Sequence, residues 1–174
     1  RREIPRVIRW TNNLGLVAVD TVLVRLAFPV VAVGLAAFAS EQGWGLLNAL
    51  EIQGKKLEDA KVLGLGAGAA GIASMKLLVA LGANKQNLFM VDRKGVIHDG
   101  RDDLNEYKQA FAVTTDKRTL MDACTDADVF IGVSGPDLMS QEMLRAMAPN
   151  PIVFALSNPD PEILPELAFK TRDD

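Results

Sequence analysis

Three glycines carry the first chemical signal. In "KVLGLGAGAAGIASMKLLVALGA" Gly66, Gly68 and Gly71 keep the spacing G-x-G-x-x-G, behind a short apolar run and ahead of apolar residues (Ile72, Met75, Leu78, Val79) at helical intervals. Strand, tight turn and helix in that order suit a phosphate. Gly66 permits the turn, Gly68 removes a side chain so that a pyrophosphate can approach the backbone, and Gly71 lets the helix pack on the strand. The helix start offers unpaired N–H groups and the positive end of its dipole. Asp92 closes a second strand-like run, "NLFMVD", 21 residues beyond Gly71. A carboxylate there can accept hydrogen bonds from the ribose hydroxyls of an adenosine. The plainer alternative is a structural glycine turn with a surface aspartate.

These residues need elements to hold them. "ADVFIGVS" (127–134) suits a third strand that ends in the turn Ser134-Gly135-Pro136, and "PIVFALSNP" (151–159) a fourth that ends at Asn158-Pro159. Between the strands "DLNEYKQAF", "RTLMDAC" and "SQEMLRAM" suit helices, the last with Ser140 as its N-cap and Glu142 in its first turn. Strands alternating with helices predict an α/β fold, part of a Rossmann-like doubly wound parallel sheet with right-handed crossovers. Ligands of such sheets bind at the carboxyl ends of the strands, where Gly66, Asp92, Ser134 and Asn158 all fall.

The totals set bounds. With 19 basic and 22 acidic residues, net charge −3, there is no basic excess of the kind that binds nucleic acid. One cysteine, Cys124, and one histidine, His98, exclude an internal disulfide framework and leave too few soft ligands for a structural zinc site. A reducing compartment fits that usage. Cys124 is expected to be packed or half-buried and His98, in a polar loop, to be exposed. Tyr107 falls on the helix that follows Asp92, and Asp102-Asp103 read as a helix start rather than a metal site.

The N-terminal part differs in kind. Residues 14–39, "LGLVAVDTVLVRLAFPVVAVGLAAFA", hold two charges, Asp20 and Arg25. Taken from Val22 the run approaches a bilayer span of roughly 20 residues, with Arg25 placed to snorkel and Trp10 and Trp44 on its flanks. A membrane helix, a buried helix and a signal peptide with the small-x-small motif "AFA" at 37–39 are the three readings. The chain opens on Arg1 rather than Met, as expected of a fragment or a processed form.

Two resemblances divide the chain at "LLNALE" (46–51). "LLNALEIQGKKLEDAKVLGLGAGAAGIASMKLL", "FMVDRKGVIHDGR", "DVFIGVSGPDLM" and "VFALSNPDPEI" resemble the NAD(P)-binding domain of malic enzymes, closest to the large bacterial NADP-dependent type, over residues 46–174. Residues 1–50, through "NNLG", "VRLAFP" and "GWGLLN", resemble the early segment of sterol desaturase / fatty acid hydroxylase membrane proteins, without the histidines on which that family's chemistry depends. The first resemblance implies oxidative decarboxylation of malate to pyruvate with hydride transfer to NADP or NAD, a divalent Mg or Mn, and association into homo-oligomers. Carried over by position, it makes Gly66, Ala67, Gly68, Ala69, Ala70 and Gly71 the pyrophosphate loop and gives Asp92 the adenosine ribose. Arg93 and Lys94 become readers of a 2′-phosphate, with a solvated turn as their alternative. Val133, Ser134 and Gly135 pass the nicotinamide ribose. Asn158 bonds the nicotinamide side or the substrate carboxylate, or is a strand-end turn residue.

The same resemblance shows what is missing. The family's catalytic lysine and tyrosine come from a preceding substrate domain, and one metal-binding acid belongs shortly before Leu46. Here that stretch is "VVAVGLA", and no acid stands between Asp20 and Glu41. The metal ligands are therefore not in this chain, which is expected to bind cofactor without turning over malate. Residues 1–45 read as a hydrophobic helical segment foreign to the domain, from a chimaeric join or a natural membrane anchor on a cytoplasmic cofactor domain. Other readings are a non-catalytic nucleotide-binding module on that anchor and a different Rossmann dehydrogenase, against which "SGPDLMS" and "ALSNPDPE" argue.

Overall fold

The structure is a computed structural model and describes residues 45–174. The expectations for residues 1–44, the membrane run 14–39 among them, lie outside the described residues. After α1 (Leu46–Ile52) the first strand is β1 (Val62–Leu65), every residue of which is buried. Such runs, apolar on both faces, belong to strands covered by helices on both sides. β1 pairs in parallel with β2 (Leu88–Asp92) and with β4 (Val129–Gly132), and β4 pairs in parallel with β5 (Ile152–Ala155). The four strands expected from sequence are thus present, and Leu63 stands beside Phe89 on one neighbour and Phe130 on the other.

A two-residue strand, β3 (Gly95–Val96), was not anticipated. It turns back antiparallel on β2, so the sheet runs β3-β2-β1-β4-β5. Gly95 makes the turn possible. Its φ is +108°, and a Cβ there would collide with the carbonyl of Arg118.

The chain leaves β1 on one side to form β2 and returns to the other side to form β4. The carboxyl ends of β1 and β4 therefore border the point where strand order reverses, the usual ligand crevice of such sheets. One face carries α2 (Ala69–Ala80), which sets Met75 and Leu78 into the core. Gly64 gives the Met75 side chain its room, since a Cβ on Gly64 would overlap it. On the other face Leu63, Leu65, Val91 and Phe130 pack with Ala123 and Cys124 of α4 (Leu120–Cys124), Leu144 of α5 (Gln141–Ala146) and Ile163. Phe130 is fully buried. Cys124 is fully buried too, and loss of water pushes its thiol up to about 12, so it packs and does not react.

Caps fix the helix starts. Ser140 accepts from the Met143 amide as expected, and Thr119 with Asp122 forms a reciprocal capping box on α4. Asp102-Asp103 do not open a helix. α3 (Glu106–Gln109) begins after Asn105, whose side chain accepts from the Lys108 amide, and Asp103 is drawn off by Arg101. His98 is half-buried rather than exposed, because it bridges to Val113 and its Nδ1 accepts from the Gly100 amide. A final helix, α6 (Pro165–Thr171), was missed.

Candidate functional site

The glycine turn lies at the strand-order reversal. Gly66 has φ +111°, and its position would put a Cβ 3.0 Å from the Val133 carbonyl oxygen at the end of β4. Its amide donates to the Val91 carbonyl at 2.9 Å, which ties the turn to β2 as well. Gly71 folds back on the turn itself, and any Cβ there would run into the Gly66 carbonyl oxygen. Gly68, the N-cap of α2, is the opposite case: nothing approaches the place of its Cβ. Two glycines are thus required by the protein and the third faces open space beside a helix N-terminus, where an anion gains from the orphan N–H groups.

That space is an open cleft of about 490 Å³ lined by Gly66, Ala67, Gly68, Asp92, Arg93, Lys94, Asp103, Lys108, Val133 and Ser134. Most of the residues singled out in the sequence therefore meet in one place. Ala69 faces a neighbouring hollow with Ile72, Lys76 and Tyr107, whose ring carries the Lys76 ammonium 5.5 Å from its centre. Ala70 is exposed on the first turn of α2. Gly135 follows Ser134 just beyond the lining, and Asn158, exposed three residues past β5, stands outside it.

Two residues missed from sequence dominate one end. The Arg101 guanidinium spans two carboxylates, donating to Asp92 at 2.9 and 3.2 Å and to Asp103 at 2.9 Å through Nε and again at 2.9 Å through Nη2. The Lys108 ammonium reaches the second oxygen of Asp92 at 2.6 Å, and the Lys94 amide donates to the first at 2.9 Å. The Lys94 ammonium pairs with Asp103 at 2.7 Å. Burial alone would push the Asp92 carboxyl up. The bonds from Arg101, Lys108 and the Lys94 amide overcome it and hold the group at about 2. Asp103 lies well below the usual carboxylate range, chiefly through Arg101 and then Lys94, and Arg101 is raised in turn by Asp103 and Asp92. Arg93, Lys94, Arg101 and Lys108 against Asp92 and Asp103 leave a surplus of two positive charges. Arg101 and Lys108 gave no sequence signal because loop and helix carry them back from 9 and 16 residues away.

The far side is built differently. Glu162, fully buried, lies beneath Gly132 and takes the backbone amides of Ser134 and Ser157 on its two oxygens at 3.0 and 3.1 Å. Among the described residues no cluster of three or more histidine, cysteine or acidic side chains could hold a metal, and no helix is long and apolar enough to cross a membrane.

A mostly parallel sheet with a glycine turn and a helix N-terminus at its reversal point, and an acid at the end of the adjoining strand, defines a Rossmann-like dinucleotide-binding domain. Comparison with known proteins narrows the class. The family model "Malic enzyme, NAD binding domain" matches residues 36–173, and the chain belongs to that family. The match begins ahead of Leu46, the start expected from sequence. The chain is 65% identical over 130 residues to an NADP-dependent malic enzyme of Halomonas elongata, covering 75% of this chain and 31% of that protein. It is 52% identical over 128 residues to an NAD-dependent malic enzyme of Geobacillus stearothermophilus, covering 71% of this chain and 26% of the relative. The crystal structure of an NAD-dependent malic enzyme from Thermotoga maritima superposes with a TM-score of 0.66 at 41% identity, over 72% of this chain and 34% of that one. The chain thus spans about a third or less of the length of these relatives.

Proposed function

We propose that residues 46–174 are the cofactor-binding part of a malic enzyme and that the cleft takes NADP in preference to NAD. Bound there, the dinucleotide supplies the hydride acceptor for oxidative decarboxylation of malate to pyruvate. The residues of this chain bind and orient it. Gly66, Ala67, Gly68, Ala69, Ala70 and Gly71 offer a pyrophosphate loop whose open face is at Gly68. Val133, Ser134 and Gly135 border the nicotinamide ribose, and Asn158 serves the nicotinamide side or the substrate carboxylate.

The observation that carries the reading is the charged end of the cleft. Asp92 already accepts four hydrogen bonds, which fills its acceptor sites. A ribose hydroxyl can reach it only by displacing a donor, and flexible Lys108 is the most readily moved. A 2′-phosphate gives the Lys108 ammonium a new partner as it leaves and adds charge-assisted bonds from Arg93 or Lys94. NAD has no such group, so it must break the Asp92–Lys108 pair without replacement.

Calorimetric titration with each dinucleotide tests this. Saturable binding of both, tighter for NADP by about tenfold, is expected. Failure to bind either overturns the reading. The described residues do not fit a divalent metal, since Asp103 is taken by Arg101 and Lys94. Accordingly the chain alone is expected to give no malate- and manganese-dependent reduction of NADP, and a rise in reduced-nicotinamide absorbance would contradict that. Residues 1–45 belong to this reading as a membrane-prone segment, of which the family match, beginning at residue 36, takes in the end. Detergent partition of the intact chain tests the segment, and limited proteolysis leaving a core that starts near Leu46 tests the boundary.

A further inference from the structure

We infer that Glu162 is the positioning residue of the nicotinamide half of the cleft, an inference that rests on the cofactor reading above. A dinucleotide whose adenosine lies at Asp92, beyond β2, must extend its other half across the reversal point toward the ends of β4 and β5. The loop after β4 lines the cleft there through Val133 and Ser134, and the loop after β5 lies just beyond that lining. Glu162 joins them. Its Oε1 accepts from the Ser134 amide at 3.0 Å and its Oε2 from the Ser157 amide at 3.1 Å. Its own carbonyl accepts from the Met139 amide at 2.9 Å, and the Pro161 carbonyl from the Asp137 amide at 3.1 Å.

Among the described residues Glu162 is the one charged side chain that is fully buried. Burying a carboxyl is costly unless its oxygens are bonded, and a core position could have held an apolar side chain instead. Gly132 is shaped to it, since a Cβ there would collide with the carboxyl group. What the arrangement achieves is a fixed distance between Ser134 and the Ser157-Asn158 segment. The groups so fixed are backbone groups, which cannot be placed by their own side chains.

The consequence is a division of binding energy. Glu162→Gln keeps one acceptor and turns a donor toward the other amide, so one loop is released. In the 174-residue chain this is expected to weaken NADP about tenfold and to leave adenosine 2′,5′-bisphosphate, which stops short of the nicotinamide, within about twofold of its original affinity. The fluorescence of bound NADPH should fall toward that of free NADPH. Gly132→Ala, which evicts the carboxyl from the opposite side, should reproduce the split and serves if the Gln variant does not fold. Equal loss of both ligands, loss of neither, or collapse of the fold in both variants overturns the inference while wild-type binding upholds the cofactor reading. If the wild-type chain binds neither ligand, the cofactor reading fails and the inference falls with it.

Discussion

At the β2 end of the cleft six charged side chains form the wall; at the β4–β5 end two backbone amides are held from below by one buried carboxyl. The first arrangement has a mostly buried centre, Asp92 with Arg101, and an accessible rim that is easily altered, because Lys94, Arg93 and Lys108 can each be exchanged without disturbing the core. The second is fixed, because changing Glu162 or Gly132 alters the packing of two strands. The difference suits a dinucleotide site. NAD and NADP differ only by a phosphate at the adenosine end, where charge can be retuned, while the reactive nicotinamide demands the same geometry of either. The two NADP- and NAD-named relatives, 65% and 52% identical to this chain, are what such a division allows.

The glycine turn is common to both ends, and breaking it should erase the contrast. Gly71→Ala forces a methyl into the Gly66 carbonyl. Overpacking of this kind costs about 3 kcal/mol, and the shifted turn should abolish binding of NADP, NAD and adenosine 2′,5′-bisphosphate alike in calorimetry. If the variant bound any of them normally, the turn would not be the pyrophosphate site. Arg101→Met comes next. It leaves Asp92 and Asp103 facing each other at the rim, an expected loss of about 2 kcal/mol in urea unfolding, together with weaker binding at the adenosine end only. Lys108→Ala is smaller and more selective. NADP should weaken about tenfold, and NAD, freed of the need to break the Asp92–Lys108 pair, should hold or tighten. Equal weakening of both dinucleotides would remove Lys108 from discrimination and leave Arg93 and Lys94 as its candidates.

What could be read from the chain follows the same division. The strands, α2 and the glycine turn were legible because apolar periodicity and glycine spacing express local geometry. Gly66 needs its positive φ and Gly71 its close approach whatever else is present. Ser140 was legible because a cap acts within three residues. Arg101, Lys108 and Glu162 were not, because each acts across a loop on a partner that only the fold brings near. β3 is too short to show a pattern. α6 did leave a signal that went unused, with Pro165 at its first position, Glu166 in its first turn and Lys170 in its last. The error over Asp102-Asp103 has a clear cause. Acids before a helix suggest a start, but Arg101 outbids the helix for Asp103 and leaves Asn105 to cap.

The smallest effect separates the two ends by acid. Asp92 is held at about 2 against an ordinary 3.8, so its carboxylate stabilises the folded state fully above pH 3.8 and loses that contribution as pH falls through 2. After allowance for solvent at the rim, the contribution is about 1 kcal/mol. Other lowered carboxylates, Asp103, Asp122 and Asp174, titrate in the same direction, so wild-type acid unfolding cannot isolate it. The difference between wild type and Asp92→Asn can. Their stabilities should converge as pH drops from 3.8 to 2, with the variant the weaker above that range. Parallel pH curves for wild type and Asp92→Asn would mean that Arg101 and Lys108 lie near Asp92 without holding it, and that the charged end is as loosely built as its exposure to water would allow.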